Sequence, residues 1–254
     1  MRKSGSCLSI AGLDPSGGAG MLADIKTFEA LGVQGFGAST ATTFQNEHTF
    51  YGLEWLGFNQ IKEQLDPLFN THEISFAKIG LVESWECLQR TLAYLRERNK
   101  DMVIVWDPIL SSSSGYQFHS GGADDDCMNI FESIDLFIPN VDEMLELFPH
   151  TNAHEKGKEL SVDCAVLLKG GHNRSDHSND ILFEKEVAKV LTGERLKYDK
   201  HGTGCVLSAA IVAHLAMGSN LEESCRQAKS YLNKFLMSNS SLLGSHSLQD
   251  ETYS

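Results

Sequence analysis

The stretch SIAGLDPSGGAGMLADIKTFEALG, Ser9 to Gly32, joins an apolar run to an amphipathic helix through a turn carrying Gly12, Gly17, Gly18 and Gly20. Glycine permits positive φ and close backbone approach at an entropic cost, so clustering it where a strand passes into a helix marks a turn of demanding shape. The same alternation recurs downstream. The apolar runs CLSIAG, GFGASTATTF, SFAKIGLV, DMVIVWDPIL, SIDLFIPN and CAVLLKGG are interleaved with segments of helical period such as ESWECLQRTLAYLRER and VDEMLELF. In the former, Trp85, Leu88, Leu92 and Leu95 form one stripe, with Arg90, Arg96 and Glu97 off it. Strands that are apolar throughout and separated by helices predict a mostly parallel central sheet with helices on both faces.

After CAVLLKGG the pattern changes. DILFEKEVAKVLTGERLKY reads as short strands turning at Glu184 to Glu186, a small antiparallel edge. HGTGCVLSAAIVAHLAMG then opens a strongly apolar helix at a glycine-bracketed turn, and an amphipathic helix follows from about Leu221 to Met237. One α/β domain is expected over residues 1–238, with 239–254 a loose polar tail. The serine run Ser111 to Gly115 reads as a loop, Asp124 to Asp126 as a solvated helix start, and the NRS at Asn173 as a chance match.

Composition narrows the partners. With 21 Lys and Arg against 34 Asp and Glu, the formal charge of −13 repels nucleic-acid backbones and anionic membrane surfaces, so neither is expected as a main partner. The six cysteines are scattered without a C-x-x-C pair, which fits reduced thiols in the cytoplasm. No apolar run approaches the roughly 20 residues of a membrane span, and MRKSGSCLSIAG is too short in its apolar part for a signal peptide. A soluble, cytoplasmic protein is expected.

In open parallel sheets, ligands gather beyond the carboxyl ends of the strands. Here those exits read GLDPSGGAG, TFQNEH, GLVES, DPILSSSSG, PNVDE, KGGHNRSD and HGTGC. In the last, Gly202 and Gly204 let the backbone curl so that several N–H groups and the positive end of the following helix share one space, an anion hole; a tight packing turn fits the same residues. Cys205 in that first turn is either a thiol with a dipole-lowered pKa, useful as base or nucleophile, or a small buried hydrophobe. Lys169 ends a buried strand and needs an anionic partner, a phosphate or a carboxylate such as Asp180. Other phosphate motifs fail. The one Gly-Lys, Gly157–Lys158, is followed by Glu159, which excludes a P-loop, and Thr40 stands where Gly35 and Gly37 would need a third glycine. No G-x-S-x-G elbow occurs, which argues against an α/β-hydrolase.

The order and content of these exits resemble the ribokinase-like superfamily and, within it, the hydroxymethylpyrimidine and phosphomethylpyrimidine kinases of thiamine biosynthesis. The resemblance runs from SIAGLDPSGGAGMLADIKTFEALG through TATTFQNEH, AKIGLV, VIVWDPIL, FIPNVDEMLEL and AVLLKGGH to HGTGCVLSAAIVAHLAMG. It implies a ribokinase-like fold, ATP and Mg2+ as cofactors, a small pyrimidine substrate and a homodimer. It further implies that Gly12 and its turn pack against the flat ring, that Asp24 helps to hold it, and that Gln45 hydrogen-bonds the aminopyrimidine. Leu81, where relatives often carry methionine, and Ile109, where valine is usual, would line the ring pocket. Asp107 and Glu143, with Asn140 beside them, would sit near magnesium and the nucleotide phosphates, although Glu143 in NVDE also suits a helix cap. Lys169 and Thr203 would meet ATP, and the amides of Gly202, Thr203, Gly204 and Cys205 would stabilise the transferring phosphoryl group while Cys205 removes or guides the hydroxyl proton. Two rivals share these residues in part: a pyridoxal or pyridoxine kinase, and a non-catalytic module that senses a pyrimidine.

Overall fold

The computed structural model describes residues 5–111, 115–118, 128–170, 178–193 and 195–246. Ser112 to Ser114, the acid cluster at Asp124 to Asp126 and Asn173 lie outside the described residues. The strands are β1 (Ser6–Leu13), β2 (Gly35–Gln45), β3 (Phe50–Trp55), β4 (Ile74–Ile79), β5 (Val103–Trp106), β6 (Leu136–Phe137), β7 (Ala165–Leu168), β8 (Asp180–Glu184) and β9 (Val187–Leu191). They form one sheet in the order β3-β2-β1-β4-β5-β6-β7-β8-β9. Every neighbouring pair from β2 to β7 is parallel, and β3, β8 and β9 run antiparallel to their neighbours.

The helices are α1 (Gly20–Ala30), α2 (Phe58–Phe69), α3 (Trp85–Arg98), α4 (Asn129–Glu132), α5 (Val141–Leu147), α6 (Ala153–Leu160), α7 (Thr203–Ala216) and α8 (Leu221–Met237). Successive strand residues point to opposite faces, and both faces are covered. Leu8, Ile10, Ile104, Trp106, Val166 and Leu168 join the layer under α2 and α3, while Cys7, Val105 and Leu167 join the layer under α1, α7 and α8. Helix α7 is apolar nearly all round because it is wedged between the sheet, α1 and α8. Among the described residues no helix is long and apolar enough to cross a membrane.

The expected antiparallel edge is present as β8 and β9, whose turn residues Lys185 and Glu186 take φ of 49° and 66°. A second antiparallel edge, β3, was not expected from the sequence. Its residues are half-buried or exposed, and Gly52 and Glu54 interrupt FYGLEW, so it lacks the unbroken apolar run by which the central strands were read. The tail also differs from expectation. Residues 239–246 are tied down: the carbonyl of Leu242 accepts from His201 N at 2.9 Å, and the His246 ring packs on Phe235 with centroids 4.8 Å apart.

The strand order reverses beside β1, where β2 lies on one side and β4 on the other. Such a switch point splays the connections apart and opens a crevice at the carboxyl ends of the strands.

Candidate active site

A cavity of about 690 Å³ occupies that crevice, walled by the ends of β1, β4 and β7 and by the entry to α7. At one end lie Gly12, Thr43, Gln45, Leu81 and Ile109; at the other, Asn140, Glu143, Lys169 and Gly202 to Cys205. The glycine turn after β1 is folded tightly on itself. Gly20 has φ of 58°, and a β-carbon there would run into the carbonyl of Gly12. The carboxylate of Asp14 organises this turn, accepting from Ser16 N at 2.9 Å, Ser16 Oγ at 2.8 Å and Ala19 N at 2.9 Å, while His201 Nε2 stands 2.9 Å from Oδ2.

Gln45 closes β2. Its Nε2 donates to Thr43 Oγ1 at 2.8 Å, and that hydroxyl donates to Leu13 O at 2.9 Å, so the amide is held by a chain anchored on β1. Thr40 Oγ1 donates to the Leu81 carbonyl at 2.5 Å, which fixes the backbone there, and the Leu81 side chain lies beside Gly12. This end is lined by Gly12, Leu81 and Ile109 with one directional amide. It suits a small heteroaromatic ring.

The other end is built for charge. Lys169 Nζ lies 2.8 Å from Asp107 Oδ1 and 3.5 Å from Glu143 Oε2. Burial alone would lower the Lys169 ammonium, but the two carboxylates hold it above the usual lysine range. Burial likewise pushes Asp107 up, yet Lys169 and Lys78, with hydrogen bonds from Lys169 and Ser208, outweigh it and keep the carboxyl below its ordinary value. Glu143 ends up raised, by burial first and by Asp107 besides. It also forms a capping box with Asn140, in which Glu143 N donates to Asn140 Oδ1 at 2.7 Å and Asn140 N donates to Glu143 Oε2 at 2.6 Å.

Helix α7 starts at Thr203 behind Gly202, whose φ of 75° lets the chain turn sharply into the first helical turn. The amides of that turn have no intrahelical acceptor, and the helix dipole places positive potential there. A β-carbon on Gly204 would lie 3.8 Å from Lys169 Nζ, so the amides and the ammonium border one space. Of the two readings of Cys205, the dipole-lowered thiol and the small buried hydrophobe, its burial fits the second. Burial pushes its thiol up to about 11, more than Lys78 and the Gly20 N–H, 3.4 Å from Sγ, can offset. The thiol is therefore neutral near pH 7.

Within this cavity the fold brings together Gly12, Gln45, Leu81, Ile109, Asn140, Glu143, Lys169, Gly202, Thr203, Gly204 and Cys205. Two expected residues lie behind the wall. Asp24 is 0 % exposed and faces Lys78, whose Nζ donates to its two oxygens at 2.7 and 2.8 Å, while Ser9 Oγ donates at 2.6 Å. It cannot touch a ring in the cavity; Lys78, which lines it, stands between. Asp107 is also 0 % exposed, with one oxygen on Lys169 and the other accepting from Ser208 Oγ at 2.9 Å. With both oxygens engaged it is poorly placed as a magnesium ligand. Glu143, on the cavity wall with both of its contacts on Oε2, fits that role better, since Mg2+ commonly takes one or two carboxylates and completes its shell with water and phosphate. Among the described residues no group of three or more metal-ligating side chains converges.

The family model described as phosphomethylpyrimidine kinase matches residues 14–249. The chain belongs to the phosphomethylpyrimidine kinase family. It is 34 % identical over 241 residues to the hydroxymethylpyrimidine/phosphomethylpyrimidine kinase of Escherichia coli K12, covering 91 % of this chain and 90 % of that one. The crystal structure of phosphomethylpyrimidine kinase from Clostridium difficile 630 superposes with a TM-score of 0.74 at 30 % identity, over 91 % of this chain and 98 % of the other. The fold is also that of the Staphylococcus aureus pyridoxal kinase solved with AMP-PCP and pyridoxal, with a TM-score of 0.82 at 22 % identity over 98 % and 95 % of the two chains.

Reading the sequence of this family member missed Lys78, Asp14 and His201. Lys78 had a signal: like Lys169 it is a lysine inside an apolar strand, in AKIG, and needs an anion. His201 and Asp14 are far apart in the chain, and only the docking of α7 against the β1 turn joins them.

Proposed function

We propose that the protein transfers the γ-phosphoryl group of ATP to the hydroxymethyl oxygen of 4-amino-5-hydroxymethyl-2-methylpyrimidine, and likewise phosphorylates its monophosphate, in thiamine diphosphate synthesis. The observation that carries this reading is one cavity with an amide-tipped ring slot at one end and Lys169 beside the α7 amides at the other. Family membership and relatives named for this activity support the choice of acceptor.

In this reading Gln45 and Leu81 orient the ring so that its hydroxymethyl group points toward Cys205. Lys169 and the amides of Gly202 to Cys205 neutralise charge on the moving phosphoryl group, which in this chemistry counts for more than covalent assistance. Glu143 would hold Mg2+, which supplies charge neutralisation between phosphates when bound, and Asp107 keeps Lys169 charged and aimed. The hydroxyl proton passes to the thiolate form of Cys205, a minor species near neutrality, as the oxygen–phosphorus bond forms and ADP departs. Asp24 acts through Lys78.

The test is ADP release measured with the pyrimidine, its monophosphate and pyridoxal as acceptors. Turnover with the pyrimidines at least about tenfold above pyridoxal in kcat/KM, a difference of about 1.4 kcal/mol, is expected. Preference for pyridoxal would move the protein to the rival kinase activity, and binding of the pyrimidine without ADP release would make it a sensing module.

A further inference from the structure

Lys200 is 8 % exposed and lines the cavity, yet its ammonium donates to neutral oxygens of a single segment: Asn239 O at 2.6 Å, Asn239 Oδ1 at 2.9 Å and the carbonyl of Ser241. It joins none of the ion pairs formed among the described residues. A lysine so far out of water ordinarily sits against a carboxylate, so this charge is committed to holding the segment by charge-assisted hydrogen bonds. The next residue continues the attachment. His201 N donates to Leu242 O at 2.9 Å, and its ring reaches Asp14, the organiser of the glycine turn. Leu243 and the His201 ring close together over Gly18, whose carbonyl in turn faces Gly202. Farther along, Gly244 lies against the Phe235 ring, and His246 Nδ1 is 3.3 Å from both Thr27 Oγ1 and Tyr231 OH, which anchors the segment on α1 and α8.

Both turns that this segment touches reach the candidate site: Asp14, Ala19 and Gly20 of the first and Gly202 of the second line the cavity. We propose that Asn239 to Leu243 form a strap that holds the Gly18 turn and the Gly202 turn in register, with Lys200 and His201 as positioning residues for phosphoryl transfer. The catalytic part rests on the kinase reading above; the mechanical part does not. Neither side chain needs to touch the reacting atoms, because misplacing the α7 amides against the bound ring is itself costly in a reaction that depends on alignment.

The experiment uses the full chain. Hydrogen exchange is followed without ligand in the wild type and in Lys200→Met, which keeps the stem and removes the donors. Amides of residues 14–20 and 200–206 should exchange about tenfold faster in the variant, while α3 keeps its protection. In steady state kcat should fall about 10- to 100-fold with the pyrimidine KM little changed, and Lys200→Arg, which also donates to carbonyls, should restore most of it. If Lys200→Met does not fold, Asn239→Ala removes one acceptor and is read in the same way. Unchanged exchange at 14–20, or an arginine variant no better than methionine, overturns the strap. A wild type without kinase activity would overturn the kinase reading alone, since the exchange result still decides the strap.

Discussion

The carbonyl oxygen of Gly18 faces Gly202 so closely that any β-carbon on Gly202 would run into it. The glycine turn after β1 and the entry to α7 are therefore in direct backbone contact, and neither turn can shift without the other. Gly202 also has φ of 75°, where an L-residue carries about 1–2 kcal/mol of strain. Gly202→Ala is expected to lose at least that much stability in urea unfolding and most of its turnover. Gly204→Ala is the contrast: its methyl would meet Lys169 Nζ and Asp107 Oδ2 only at 3.8 and 3.9 Å, so the fold should hold while kcat falls. Equal stability of the two variants would refute this division.

The Asp24–Lys78 pair is 0 % exposed on both sides, with Lys78 at the cavity wall and Asp24 behind it. Asp24→Asn leaves an ammonium out of water without its counter-charge and is expected to cost about 3–5 kcal/mol; replacing both partners by Leu and Met should recover much of that loss. Urea unfolding of the single and double variants measures the difference. A double variant as unstable as Asp24→Asn would mean that packing, not charge, decides the site. Activity need not return with stability, because Lys78 also lines the cavity.

This pair marks where sequence stopped being informative. The parallel sheet was legible because β1, β4, β5 and β7 are apolar on both faces, and the exits of those strands supplied Gly12, Leu81, Ile109 and Lys169. Side-chain direction was not legible. Asp24 lies on the inward face of α1 and Asp107 beneath the α7 entry, so both carboxylates found lysines before they could reach the cavity. Helix α2 was hidden by Pro67 within it, a residue that ordinarily argues against a helix interior. The choice between the two readings of the Cys205 thiol was not legible, because the helix dipole is visible in a motif, whereas the depth of burial that outweighs it is a property of the assembled fold.

Gln45 presents its amide to the ring end of the cavity and is braced by Thr43. Gln45→Ala should raise the pyrimidine KM by the worth of an unpaired polar contact, about 1–3 kcal/mol or roughly 5- to 150-fold, and leave the ATP KM nearly unchanged. Thr43→Val should produce a smaller shift of the same kind by loosening the brace. Parallel increases in both Michaelis constants would remove Gln45 from the ring site.

His246 gives a pH signature for the anchored end of the chain. Burial first, and Lys26 besides, lower its pKa from 6.5 to about 4. The unfolded chain therefore takes up this proton first as the pH falls. The stability contributed by the neutral imidazole is complete above about 6.5, declines below it and is fully lost by about 4. The unfolding midpoint of His246→Gln should show a shallower decline across that window than the wild type. Identical slopes would mean that the ring does not stay neutral against Phe235.

Cys205 is the sharpest test of the chemistry. Its thiol, pushed up to about 11 by burial, is almost wholly protonated near neutrality, so a thiolate base would be a minor species whose population grows as pH rises. When phosphoryl transfer limits turnover, the wild-type single-turnover rate should climb about tenfold per pH unit above 7 and level off near the thiol pKa. Cys205→Ser keeps size and hydrogen bonding but has a far higher pKa; it should lower the rate by about 10²- to 10⁴-fold and abolish the climb, with little change in pyrimidine affinity. The competing account assigns nearly all the acceleration to Lys169, the α7 amides and magnesium, with the acceptor proton leaving late and unaided. Quench-flow measurements on both proteins across pH separate the two. A serine variant within a few-fold of wild type and with the same pH profile would leave Cys205 as a packing residue of α7 and assign the acceleration to Lys169, the amide turn and magnesium.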